Sequence, residues 1–119
     1  MTKDEFLKLM EKHGSGYIEA QLTMVLPEQG GRSKPVFTDY FPNWDIGNKY
    51  ADGKVDHSDA KIYIENEESI SPGKSGLIRI YPFVPKVWTR VTVGMELVMQ
   101  EGPHIIGHAK VLGIKLKNA

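Results

Sequence analysis

Apolar and polar residues alternate with a period of two over much of this chain, and this alternation restricts the chain to folds built from antiparallel strands. The clearest run lies between residues 17 and 26, where every second residue is apolar. The apolar members are Ile18, Ala20, Leu22, Met24 and Leu26. Because successive side chains of a strand point to opposite faces of a sheet, this run predicts a strand with one buried face and one solvent-facing side.

Further segments repeat this alternation, and turn residues separate them. Isoleucines recur at every second position within 60–65 and 77–81, and a run of alternate apolar residues covers 91–99. A last strand is predicted from about His104 to Ile114. Proline and glycine at 72–73, 82–85 and 102–103 mark turns, and the polar residues 47–59 predict a loop or a tight hairpin. Many short strands with almost no helix predict an all-β barrel or sandwich.

One helix is predicted, at the start of the chain. Thr2 and Glu5 have the spacing of a capping box, and Phe6, Leu7 and Met10 follow on one helical face. The glycine-rich residues 14–16 then end the helix. The sequence therefore predicts a helix over residues 1–14 and a barrel domain over 15–119, with the apolar helix face packed on the barrel wall or on a second copy.

Composition excludes several classes of function. The 119 residues carry a formal net charge of zero, which gives no overall attraction to nucleic acid or to an anionic membrane. The chain has no cysteine, so disulfides, thiolate zinc sites and cysteine nucleophiles are excluded. Residues 1–14 lack the apolar segment of a signal peptide, and no apolar run reaches membrane-spanning length. The prediction is a cytoplasmic protein with no membrane partner.

No pattern of residues predicts catalysis, a metal or a nucleotide. Gly73-Lys74-Ser75 suggests a phosphate loop, but that motif needs a glycine at the position of Glu68 and a helix after Ser75, where the sequence predicts a strand. His104 and His108 lie on a predicted strand, where four residues span about 13 Å, too far apart for one metal ion. They share one face of that strand with Ile106 and Lys110, and we expect this face to be exposed. A nucleophile elbow is also lacking. We therefore expect no enzyme activity, no cofactor and no bound nucleotide.

Two motif segments resemble the C-terminal β-barrel domain of elongation factor Tu. The first is Gly-Gly-Arg-Ser-Lys-Pro-Val-Phe at 30–37, followed by Tyr-Phe-Pro at 40–42, and it is similar to the Gly-Gly-Arg-x-x-Pro-x-Phe and Tyr-x-Pro of that family. The second, at 101–112, begins with Glu-Gly and ends in Val-Leu, like the last strand of the family. The resemblance covers roughly residues 17–114 and implies a closed, six-stranded antiparallel barrel, here without the GTPase domain.

The resemblance also implies a binding face. In the family this domain performs no chemistry, packs against sister domains and contacts the T-stem of aminoacyl-tRNA through a turn that matches Glu101-Gly102. The next family residues, glycine and then arginine, are replaced by Pro103 and His104 here. We therefore expect the binding face to consist of six residues. They are Glu101, Gly102, His104, His108, Lys110 and, from the first motif, Arg32.

A retained scaffold with a changed surface suggests a changed partner. The sequence therefore favours a non-enzymatic module that binds a protein, as a mimic of elongation factor Tu or an immunity-type protein. The alternative is a translation-associated domain that binds tRNA or other RNA. A homodimer is a further alternative, because a barrel that normally packs on sister domains has apolar surface to cover when it is alone.

An RNA-binding surface of basic and aromatic residues is a second interpretation of the sequence. Its members would be Arg32, Lys34, Arg79, Lys86, Arg90, Trp44, Trp88 and Tyr81. Bases stack on exposed aromatic side chains, and cations follow the phosphate backbone. The competing interpretation of these residues is ordinary surface charge with aromatic side chains in the core.

Overall fold

The computed structural model describes residues 1–117 and contains a closed barrel of six antiparallel strands with one short helix, as the sequence predicts. The helix and strands are α1 (Lys3–His13), β1 (Gly16–Met24), β2 (Val36–Phe37), β3 (Asn43–Asp45), β4 (Ser58–Ile64), β5 (Ser69–Ile70), β6 (Ser75–Pro82), β7 (Glu96–Glu101) and β8 (His104–Leu116). Two 3₁₀ helices, Pro27–Gln29 and Pro85–Trp88, lie in the connections.

The strand order around the barrel is β1-β6-β4-β3-β7-β8, and β8 closes the ring by pairing with β1. Ile18 of β1 lies opposite Ile80 of β6 on one side and opposite Ile114 of β8 on the other. The short strands β2 and β5 form a separate two-stranded sheet. Strand β4 therefore lies across the barrel from β8, with two strands between them in either direction.

The alternating apolar residues predicted for β1, β4 and β6 are buried in the core. They are Ile18, Ala20, Leu22 and Met24 of β1, Ala60, Ile62 and Ile64 of β4, and Ile78 and Ile80 of β6. The prediction that Leu26 and Val93 also lie on a buried strand face was wrong. Leu26 lies beyond the end of β1 and is substantially exposed, and Val93 is 63% exposed. Val93 falls in a turn closed by the bond from the Met95 N–H to the Thr92 carbonyl, at 3.1 Å, and β7 begins only at Glu96.

Helix α1 has the predicted capping box and packs on the barrel wall. Phe6 is fully buried, with its ring centroid 6.3 Å from that of Tyr63 and 5.7 Å from that of Tyr81. Lys3 Nζ donates to the Glu65 carbonyl oxygen at 3.2 Å. These contacts confirm that the apolar face of the helix docks on the barrel, at strands β4 and β6.

The polar segment 47–59 is mostly a tight hairpin, in agreement with its composition. The Tyr50 N–H donates to the Lys54 carbonyl at 2.9 Å, and Lys49 pairs with Val55 in an isolated bridge. Strand β4 begins within this segment, at Ser58. In the part of the chain that the structure describes, no helix combines the length and the apolar composition needed to cross a membrane.

Candidate binding face

The residues predicted for the binding face fall into two groups along β7 and β8. Glu101, Gly102 and His104 form the turn between the two strands, and Arg32 reaches this turn from the loop before β2. His108 and Lys110 lie farther along β8. Four of the six predicted residues are thus brought together at the turn, and two lie beside them on the barrel wall.

A carboxylate joins the two motif segments. Glu101 Oε2 forms an ion pair with Arg32 Nη1 and also accepts a hydrogen bond from the Tyr40 hydroxyl. Arg32 Nη1 donates in addition to that hydroxyl at 3.2 Å, and its guanidinium carbon lies 4.9 Å from the Tyr40 ring centroid. Arg32 Nε donates to the Lys34 carbonyl at 3.2 Å. The arginine is therefore engaged within the protein, and little of its hydrogen-bonding capacity faces solvent.

The environment of Tyr40 keeps its hydroxyl protonated. Burial and then the hydrogen bond to Glu101 raise the pKa of the Tyr40 phenol well above its ordinary value of 10.0. Both effects oppose the phenolate, since burial disfavours a charge and the carboxylate would repel it. The Tyr40 hydroxyl therefore remains a donor to Glu101 across the neutral pH range.

The paired glycines of the first motif have a packing role. Gly30 has a φ of +95°, which side-chain-bearing residues rarely adopt, and a Cβ on Gly31 would lie 2.3 Å from the Val25 carbonyl oxygen. Close packing of this loop carries Arg32 to the β7–β8 turn. A shallow groove of about 210 Å³ results, bounded by Gly30, Gly31, Arg32, Glu101, His104 and Ile106.

A β-bulge corrects the predicted faces of β8. Met99 lies opposite Gly107 and Gln100 lies opposite Ile105, so Ile106 is an extra residue on β8. Its side chain is buried in the core. The prediction that Ile106 shares an exposed face with the histidines was therefore wrong, because a bulge interrupts the alternation of the strand.

The second group of predicted residues surrounds Glu96 of β7. His108 Nδ1 lies 3.2 Å from Glu96 Oε1, and Lys110 is the direct cross-strand neighbour of the same glutamate. Exposed apolar residues flank these polar side chains. Ile105 is 45% exposed, and Leu112 is 47% exposed. The wall of β8 thus combines balanced charges with apolar surface.

Two further predictions concern metal binding and the Gly-Lys-Ser segment. Within residues 1–117, no group of three or more His, Asp or Glu side chains is arranged to hold a metal ion. Strand β6 begins at Ser75, which confirms the predicted strand and leaves the Gly-Lys-Ser segment without the helix that a phosphate loop requires.

The predicted RNA surface is not assembled. Trp44 and Trp88 are fully buried against each other, with ring centroids 6.2 Å apart, so neither can stack on a base. Arg79 pairs with Glu65 at 2.7 Å, and Arg90 donates to a backbone carbonyl. The competing interpretation of the two tryptophans, as core aromatic side chains, is confirmed.

Sequence reasoning missed an exposed aromatic pair on the opposite side of the barrel. Phe41 is 47% exposed and Phe83 is 72% exposed, and their ring centroids lie 6.1 Å apart. A groove of about 550 Å³ separates them from the C-terminal half of α1. The sequence contained one indication that these rings are exposed. Each phenylalanine lies next to a proline at a strand end, outside any alternating run.

No protein-family model matches this chain, and no curated protein sequence matches it either. The similarity to the elongation factor Tu barrel therefore rests on the two motif segments at 30–42 and 101–112. That similarity stays a prediction.

Proposed function

We propose that this protein is a non-enzymatic binding module of the elongation factor Tu C-terminal type, and that the surface around the β7–β8 turn binds a protein partner. The observation that carries this proposal is the charge balance of that surface. Arg32 is paired with Glu101, and Lys110 lies directly opposite Glu96. Binding to a phosphate backbone depends on cations that have no acidic partner, whereas a protein interface accommodates balanced charge.

Exposed apolar side chains support the same preference. Ile105 and Leu112 lie on β8 among His104, His108 and Lys110. Protein interfaces typically combine an apolar centre with a polar rim. The small groove beside Arg32 adds a concave element to this surface.

The resemblance suggests what the partner does. A domain that keeps the elongation factor Tu scaffold could compete for a factor or a toxin that binds the true elongation factor, and an immunity-type protein would act in this way. A partner of this kind would place the protein in the cytoplasm. Support for this version comes only from the similarity of residues 30–42 and 101–112 to the motifs of that family.

The test compares capture of proteins from a lysate of the source organism by the wild type and by two matched variants. Leu112→Glu places a charge on the proposed face, and Phe83→Glu places the same charge on the opposite side of the barrel. Both positions are exposed, so both variants should fold. We expect a captured protein to be lost with Leu112→Glu and retained with Phe83→Glu. Capture that is insensitive to Leu112→Glu would contradict the proposed face.

A tRNA titration distinguishes the alternative function. If the protein is a tRNA- or RNA-binding domain, affinity should be micromolar or tighter and should fall steeply between low and moderate salt. That binding should also be lost when His104→Ala and Lys110→Ala are combined. Such a result would replace the protein-binding proposal with the RNA-binding one.

A further inference from the structure

We propose that two copies of this protein associate about a two-fold axis through an aromatic patch formed by Phe41, Phe83, Asp59 and Lys61. This inference goes beyond the proposed function, because the aromatic patch lies around β4 and the proposed partner face lies on β8. The bound partner in this case is a second copy of the same chain.

The patch has opposite charges on either side of its aromatic centre. Asp59 and Lys61 are separated by one residue on β4, so their side chains leave the same face of the strand. The Phe83 N–H donates to the Asp59 carbonyl at 2.9 Å, which places Phe83 beside the acid. Lys61 Nζ lies 5.6 Å from the Phe41 ring centroid, which places Phe41 beside the base. The pair of rings therefore extends from the negative to the positive side chain.

This arrangement is self-complementary. A two-fold axis makes each contact twice, so that residue i of one copy meets residue j of the other and j meets i. An axis through the two rings places Asp59 of each copy opposite Lys61 of the other. Lys61 already lies 2.9 Å from Asp39 Oδ1, but an ammonium group has three donors, and the others are free to meet a second carboxylate.

The surroundings of the patch provide apolar surface for this contact. Phe83 borders the groove of about 550 Å³, whose wall on the other side is formed by Leu9 and Met10 of α1. Among residues 1–117, none of the side chains that line this groove is acidic. The exposed Phe83 of a second copy can enter it, and Val84 and Val87 continue the apolar surface on the far side. Exposed apolar surface with charged residues at its edge is typical of an interaction site.

A stable interface buries about 800 Å² of each partner, which is about 12% of the 6864 Å² surface of this chain. The aromatic rings supply its centre, and aromatic side chains are enriched at such centres. Charged side chains at the rim mainly determine orientation. Asp59 and Lys61 therefore favour the two-fold arrangement. An arrangement that placed Asp59 near Asp59 and Lys61 near Lys61 would bring like charges together.

The test measures the mass of the full chain by sedimentation velocity from low to high micromolar concentration. We expect the wild type to shift from one chain toward two, and Phe83→Glu to remain a monomer. Leu112→Glu, on the opposite side of the barrel, should dimerise like the wild type. Asp59→Lys alone and Lys61→Glu alone should each be monomeric. An equimolar mixture of the two should form a heterodimer, because each Lys then faces an acid.

Several results would overturn this proposal. A wild type that stays monomeric at every concentration overturns the proposal, and so does a dimer that Phe83→Glu leaves intact. A dimer lost only in Leu112→Glu places the interface on β8 and also overturns it. If the mixture of Asp59→Lys and Lys61→Glu stays monomeric while each variant retains its circular dichroism, the two-fold pairing is wrong. Lys61→Glu places a second acid beside Asp39, and this variant could fail to fold for that reason. In that case Asp59→Lys must by itself weaken the dimer, and a dimer of unchanged strength would overturn the two-fold pairing.

Discussion

Replacing Phe6 by alanine should remove most of the free energy that holds α1 on the barrel. The Phe6 side chain is fully buried and contacts the rings of Tyr63 and Tyr81. Truncation of a buried phenylalanine costs about 3–5 kcal/mol. We expect a value of about 3 kcal/mol, at the lower end of that range, because a helix packed on an outer wall can shift to fill part of the cavity.

Two outcomes of this substitution have different signatures. If α1 and the barrel unfold together, a loss of about 3 kcal/mol should lower the Tm by about 10–15 °C in a domain of this size. If α1 detaches by itself, the loss cannot exceed its docking free energy, and the Tm changes less. Fluorescence of Trp44 and Trp88, both buried in the barrel, reports the first outcome. Hydrogen exchange of the amides in α1 reports the second.

Phe6→Leu is the matched control, since it keeps an apolar side chain in the same space and should recover most of the lost stability. Removal of residues 1–14 should lower the Tm or cause aggregation, because it exposes the tyrosines that α1 covers. An unchanged Tm together with unchanged exchange in α1 for Phe6→Ala would refute this reasoning. It would mean that burial of Phe6 contributes no net stability.

Two further predictions concern the loop and the cluster that form the β7–β8 face. Gly31→Ala should destabilise the fold by more than about 1 kcal/mol in urea unfolding, because its Cβ would meet the Val25 carbonyl oxygen at 2.3 Å. Gly113→Ala, where a Cβ would meet only a flexible carboxylate at 3.0 Å, should cost less, and equal losses would contradict the packing argument. The pKa of the Tyr40 phenol is raised in the folded protein, so the phenol ionises more readily in the unfolded chain. The stability that Tyr40 contributes is therefore complete below pH 10.0 and is lost as the pH rises above that value. Urea unfolding at about pH 9 and about pH 11 should show a smaller loss of stability for Tyr40→Phe than for the wild type, and equal losses would contradict it.

The local pattern of the sequence determined the strands and the helix. In β1, β4 and β6 the apolar residues recur at every second position, and the structure buries those residues. The capping box at Thr2 and the glycine at 14 likewise mark the ends of α1, and both are observed. These features depend on residues close together in the chain, and local backbone geometry is sufficient to specify them.

The bulge in β8 was decided by strand pairing. The extra residue Ile106 is as apolar as its neighbours, so the sequence did not indicate that the alternation changes phase there. The phase depends on the register with β7 and β1, which follows from closure of the barrel. A one-residue change in register moves side chains to the opposite face, and this is why the predicted surface of β8 was partly wrong.

Contacts between distant segments were also decided by the tertiary structure. Arg32 and Glu101 are 69 residues apart in the chain, and their side chains form an ion pair. The sequence motifs that contain these residues do not indicate that the charge of the arginine is balanced in this way. Phe41 and Phe83 form a pair only because β4 lies between the segments that carry them. A local pattern determines which side of a strand faces the core, whereas the partners of an exposed side chain depend on which strands the closed barrel places side by side.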